Sequence, residues 1–170
     1  TFVDGRSPLA WSAAIGPATR LFLGPAIGDP GTEVMDIPTI AAVAHQHGLP
    51  LLVDASLASP ALQKPIELGA DLVIHSADTY LGGHGVALGG LLVDGGRFDW
   101  HAGRPFPTLT EPWEGLHGIT FADESPITAF LLRARHEGLA HFGASLSPIN
   151  AFHILQGQET LSLRMTAHSA

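Results

Sequence analysis

Apolar runs alternate with amphipathic stretches along this chain, and that alternation predicts its elements. Thr19–Leu23 reads as a short apolar strand, followed by a turn-rich loop over Gly24–Gly31. Asp36 is placed as an N-cap and Pro38 falls in the first turn. A helix then runs through Ile40, Val43 and Ala44 until Gly48 stops it. Pro50 leads into a buried strand, Leu51–Val53, that ends at Asp54. The unit repeats more compactly: a short helix over Ala61–Leu68 despite Pro65, a stop at Gly69, and a strand over Asp71–His75. A glycine-rich loop follows, then an apolar strand over Val86–Val93.

Continuous apolar strands separated by helices predict an α/β fold, a mostly parallel sheet flanked by helices. Residues 98–126 carry Trp100, Pro105, Pro107, Pro112 and Trp113 without a period and read as a long irregular connection. A helix is expected over about 127–141, another from Ser147 or Pro148 toward Leu155, and a further helical segment over Thr160–His168.

Composition narrows the function classes. At 170 residues and 45% hydrophobic the chain fits one domain, 1–170, with a real core. Only 14% of residues are charged, against roughly a quarter in ordinary globular domains, which leaves surface free to pack against another chain. The formal charge of -8, with arginines scattered, argues against nucleic-acid binding. The absence of cysteine excludes disulfides, thiolate nucleophiles and cysteine metal ligands. No run approaches the roughly 18 apolar residues of a membrane span, so no membrane partner is expected and cytoplasm is the default location.

Candidate chemistry gathers where ligand sites form in open α/β sheets, beyond the carboxyl ends of strands. Asp54 sits at one such end; it is suited to anchor a protonated ring nitrogen, coordinate a metal, or cap local amides. The loop His75-Ser76-Ala77-Asp78-Thr79-Tyr80-Leu81-Gly82-Gly83-His84-Gly85 sits at another. Its Ser76 and Thr79 hydroxyls and its glycines suit a phosphate, whereas Asp78 brings like charge; a solvated turn with local caps fits the same spacing. His75, Asp78 and His84 match no specific metal motif, and no dedicated metal site is expected. Nucleophile-elbow, Walker and dinucleotide-binding patterns are missing.

Four stretches in order, Val53-Asp54-Ala55-Ser56-Leu57-Ala58-Ser59-Pro60, Gly69-Ala70-Asp71-Leu72-Val73-Ile74-His75-Ser76, Gly82-Gly83-His84-Gly85, and Ser147-Pro148 with Gln156 to Met165, carry a resemblance. The chain resembles the Cys/Met-metabolism family of pyridoxal-phosphate-dependent enzymes, in its O-acetylhomoserine sulfhydrylase branch. The resemblance implies part of a fold-type-I transferase large domain. It also implies cofactor-binding positions at Asp54 (pyridine nitrogen), Ser56 (the neighbouring hydroxyl) and Ser76 (phosphate).

Departures from the family pattern cluster in the same place. Where the family reads His-Ser-x-Thr-Lys, this chain has Asp78 at the phosphate-contact hydroxyl and Thr79 at the Schiff-base lysine. A hydroxyl in place of that amine cannot form the Schiff base. Gly28-Asp29-Pro30 replaces Gly-Asn-Pro, Gly24 replaces a glutamate, and Ala55 replaces an asparagine. Lys64, the only lysine, reads as a solvated helix residue. The family's N-terminal phosphate loop and C-terminal substrate domain have no counterpart in this sequence.

The expectation is therefore a truncated homologue with no catalytic residues and no cofactor on the isolated chain, pyridoxal phosphate entering only in complex with a partner. Its expected partner is a fuller sulfhydrylase-like subunit, which it stabilises or regulates, or another copy of itself. The alternatives are one component of a split O-acylhomoserine sulfhydrylase and a repurposed enzyme working without the conventional cofactor linkage.

Overall fold

The computed structural model describes residues 1–170. Four strands, β1 (Phe22–Pro25), β2 (Leu51–Asp54), β3 (Leu72–Ser76) and β4 (Gly90–Asp94), form one sheet in the order β1-β2-β3-β4. The first three run parallel, with Val53 beside both Gly24 and Val73, and β4 returns antiparallel against β3. The expected mostly parallel sheet is present.

One face of the sheet is covered by α1 (Pro8–Ala13) and α2 (Ile37–Gln46). Helix α2 forms where the pattern predicts it: the Asp36 carboxylate accepts the Thr39 N–H at 3.2 Å, and Ile37, Ile40, Ala41 and Ala44 are buried. They pack with Trp11, Phe22, Leu51, Val53 and Val73 in the main core. Fully burying a side chain of this kind stabilises by roughly 1.5–3 kcal/mol, so this face carries much of the fold.

Three predicted elements differ. The first strand, expected over Thr19–Leu23, lies at Phe22–Pro25, so Gly24 and Pro25 belong to the ladder and not to the loop. The helix expected over Ala61–Leu68 is broken: α3 covers only Ser59–Leu62, and a 3₁₀ turn covers Pro65–Leu68, because Pro65 lacks the N–H that would join them. The strand expected from Val86 starts at Gly90; Val86 and Leu88 stay exposed outside the ladder.

Residues 98–126 hold three short helical turns, α4 (Pro107–Thr110), a 3₁₀ turn (Glu114–Leu116) and α5 (Phe121–Glu124). They build a second core, in which Trp100, Phe106, Leu109 and Phe121 join Leu72 on the sheet's other face. Helix α6 (Ala129–Ala134) passes into a π-helical stretch at Arg135–His141. The chain ends with α7 (Pro148–Gln158), capped by the Ser147 hydroxyl accepting the Asn150 N–H at 3.2 Å, and α8 (Leu161–His168). No helix is long and apolar enough to cross a membrane.

A buried carboxylate ties the start of two strands to α2. Asp71 Oδ2 accepts the Leu51 N–H at 2.8 Å and lies 2.8 Å from His45 Nε2. Asp71→Ala leaves the Leu51 N–H without its partner in a buried setting, and we expect a loss of about 1–3 kcal/mol in urea unfolding. Asp71→Asn, which keeps an acceptor oxygen, recovers part of that loss.

Candidate functional site

The parallel register of β2 and β3 brings their carboxyl ends side by side and so sets Asp54 next to the loop after His75. Asp54 Oδ1 accepts two hydrogen bonds from Ser56, from its N–H at 2.9 Å and its hydroxyl at 2.6 Å. The Ser56 oxygen in turn accepts the Ser76 N–H at 2.7 Å. Asp54, Ser56 and Ser76, distant in sequence, thus form one connected polar corner.

Beyond that corner the predicted site changes character. The Ser76 hydroxyl donates to Asp78 Oδ1, so the serine expected to meet phosphate is held by a carboxylate of its own loop. Residues Ala77–Leu81 make a π-helical turn, closed by Gly82 N–H donating to the Ala77 carbonyl at 2.9 Å. Thr79 departs from helical geometry within it (φ −94°, ψ −114°) and is exposed. Lys64 lies elsewhere on the surface, 3.3 Å from Glu67.

These residues do not fit a lysine-linked pyridoxal phosphate. Asp54 keeps an acceptor suited to a ring nitrogen, but position 79 offers no amine and a carboxylate occupies the hydroxyl that phosphate would need.

His75 and His84, raised as ligands, both point a ring nitrogen at backbone. His75 Nδ1 lies 3.1 Å from the Ala55 carbonyl and His84 Nδ1 2.8 Å from the Gly82 carbonyl. No group of three or more His, Asp or Glu side chains is arranged to hold a metal ion. Burial pushes the His75 pKa below its ordinary value, with the Ala55 carbonyl and the Asp54 charge opposing that push. Burial likewise raises the Asp94 carboxyl, which accepts the Gly96 N–H through Oδ1 while its Oδ2 is buried without a partner.

Two residues that position the loop lie in the Gln156–Met165 stretch, where sequence alone assigned neither a role. Arg164 on α8 donates through Nη1 to the Tyr80 carbonyl and through Nη2 to the Gly157 carbonyl, both at 2.8 Å. Gly157 on α7 lies against Gly82 so closely that a Cβ there would run into the Gly82 carbonyl. Helices α7 and α8 therefore clamp the loop from outside, although 84 residues separate Tyr80 from Arg164.

The family model described as Cys/Met metabolism PLP-dependent enzyme matches residues 1–170. The chain is 42% identical to the O-acetyl-L-homoserine sulfhydrylase of Leptospira meyeri, over 99% of this chain and 40% of that protein. It is also 42% identical to the Corynebacterium glutamicum enzyme of the same name, over 95% of this chain and 38% of that protein. Among solved structures, the O-acetylhomoserine sulfhydrylase of Wolinella succinogenes superposes with TM-score 0.80 at 32% identity, over 95% of this chain and 43% of that one. A Campylobacter jejuni structure carrying pyridoxyl-lysine monophosphate gives TM-score 0.87 at 28% identity, over 95% and 38%. The chain spans about 40% of the length of the curated relatives it matches.

Two outcomes follow from the site. A histidine held neutral in the fold but ordinary when unfolded contributes full stability above about pH 6.5, and that contribution is lost as pH falls toward its depressed folded pKa. Urea unfolding between pH 7.5 and 5.5 should show a falling midpoint that is shallower in His75→Gln. Gly157→Ala, forced against the Gly82 carbonyl, should cost about 1–3 kcal/mol and raise hydrogen exchange in residues 77–85.

Proposed function

The chain belongs to the Cys/Met-metabolism family of PLP-dependent enzymes, and from that premise we propose that it is a noncatalytic sulfhydrylase-like subunit that stabilises or regulates a more complete partner enzyme. The observation that carries this reading is the Ser76–Asp78 contact beside an exposed Thr79. The chain keeps the family's architecture around Asp54 while the groups that would hold the cofactor covalently and by its phosphate are replaced.

Its surface supports the same reading. A cavity of about 870 Å³ opens on the sheet face carrying Leu52, Leu72 and Leu92, walled by Trp100, Phe106 and Phe130. Outside it, Ile149, Phe152 and Leu155 stand exposed on α7. Exposed apolar side chains and an apolar cavity are surface suited to packing against another chain. A subunit that binds the folded form of its partner stabilises it by mass action, by about 2.7 kcal/mol at a hundredfold excess over Kd.

Co-expression with a full-length O-acetyl-L-homoserine sulfhydrylase tests the proposal. The tagged chain should carry the enzyme through size-exclusion chromatography and raise its melting temperature, with the pyridoxal absorbance belonging to the enzyme alone. A pyridoxal absorbance on the isolated chain that cycles with turnover would overturn it, as would failure to form any complex.

A further inference from the structure

Asp94 ends β4 where the chain leaves the sheet for the second core. It pairs with Leu72 across the antiparallel ladder, so its side chain lies on the face that Leu72 shares with Trp100, Phe106 and Phe121. The turn beyond it is tightly drawn. Asp94 Oδ1 accepts the Gly96 N–H at 2.8 Å, and the Gly95 N–H donates to the Asp71 carbonyl at 2.8 Å. Gly96 takes φ +64° with Ile127 packed so closely that a Cβ would come within 2.7 Å of that side chain. Two residues further on, Phe98 meets Trp100 edge to face, ring centres 4.8 Å apart.

The second carboxyl oxygen of Asp94 has no share in these bonds. Oδ2 is enclosed by the chain's own atoms and meets no donor. Because those atoms enclose it, its setting does not depend on what lies against the outside of this fold. The charged groups on the surrounding elements are engaged elsewhere. Asp71 accepts the Leu51 N–H and lies against His45 of α2, and Arg97 reaches the Ile66 carbonyl at 3.5 Å. Lys64 pairs with Glu67 on the 3₁₀ turn, and His101 with Asp123. The charge that acts on Asp94 is that of Asp71, of its own sign. A neutral carboxyl tolerates such a place far better than a carboxylate, and burial accordingly raises the Asp94 pKa, with the Gly96 bond opposing and Asp71 adding to the rise.

We propose that Asp94 is a proton-operated latch at the end of β4: neutral, it holds the 94–96 turn shut over Oδ2, and ionised, it opens that turn so that Oδ2 reaches water. The Gly95-Gly96 pair gives the backbone the freedom to open there, and a strand end opens at less cost than its middle. Opening the turn loosens Phe98 and Trp100, which follow it directly. Trp100 also walls the apolar cavity, so the latch sets how firmly that wall is held. A carboxyl whose folded pKa lies above its unfolded value, about 3.9, contributes stability that is full below the unfolded value and lost as pH rises through the folded one. The latch is therefore shut in mild acid and loosened toward neutrality, opposite in sign to His75.

Two measurements test the latch. In the unaltered chain with ¹³C-labelled aspartate, the Asp94 carboxyl should titrate above the ordinary aspartate value, and a titration at or below that value overturns the proposal. Hydrogen exchange in residues 95–100, corrected for the intrinsic pH dependence of exchange, should report opening at least about threefold more frequent near pH 7.5 than near pH 4.5. Exchange in Leu51–Asp54 serves as the reference for changes that involve the whole fold, those from His75 included. Asp94→Asn, which keeps the acceptor for Gly96 and cannot ionise, should remove the pH dependence in residues 95–100, and its urea midpoint should gain on that of the unaltered chain as pH rises. Opening in residues 95–100 that does not change with pH, or that changes only in step with the reference, overturns the proposal even where Asp94→Asn fails to fold. Urea midpoints of the two chains that stay parallel across pH overturn it as well. None of these outcomes depends on whether the heteromeric complex proposed above forms.

Discussion

The parallel ladder between β2 and β3 is the constraint from which the polar corner follows. Leu52, Val53 and Asp54 pair with Leu72, Val73 and Ile74, and this register sets two strand ends level. Only then can one small hydroxyl, that of Ser56, bond Asp54 and accept the Ser76 N–H together. Slipping β2 by one residue against β3 would send Val53 out of the core and turn Asp54 to the other face. The ladder is secured at its far end by Asp71, which accepts the Leu51 N–H and meets His45. Burial of the strands and placement of the site are thus one physical event.

What the ladder holds in place is a site whose residues at 78 and 79 do not fit a lysine-linked pyridoxal phosphate. The corner around Asp54 is fully connected, the loop after it is clamped by Arg164 and the Gly82–Gly157 approach, and the histidine beneath it is buried and bonded to Ala55. None of these features involves Asp78 or Thr79. Substitution at those two positions therefore alters the pocket's charge and nucleophilicity while the supporting contacts persist. That separation is why the family's fold can be plain in a chain whose site does not fit the family's cofactor linkage.

The unsatisfied surfaces have a different origin. A sheet buries its faces against other layers, and here the second face is only partly filled by the aromatic cluster around Trp100 and Phe121. The remaining cavity, the exposed β4 and the outer residues of α7 are apolar surface without a layer over it. The heteromeric association proposed above rests on this imbalance, in keeping with the low share of charged residues in the composition.

Much of the fold was legible locally. Asp36, Pro38 and the spacing to Ala44 specify α2, Ser147-Pro148 specifies the start of α7, and the apolar runs at 51–53 and 71–75 specify two strands to within a residue, because caps and hydrophobic period act over a few residues. Asp54, Ser56, Ser76, Asp78 and Thr79 were also singled out from the order of their motifs, and the first four are hydrogen-bonded together in the structure. The sequence by itself could not tell whether Pro65 would be tolerated, where β4 begins, or that the Ser76 hydroxyl would be held by Asp78. Nor could it reveal the Arg164 and Gly157 clamp. Those outcomes depend on groups brought together from up to 84 residues apart, and only tertiary packing fixes such distances. The chain alone determined which residues stand at the candidate site; the packed structure decided which of them already bond one another.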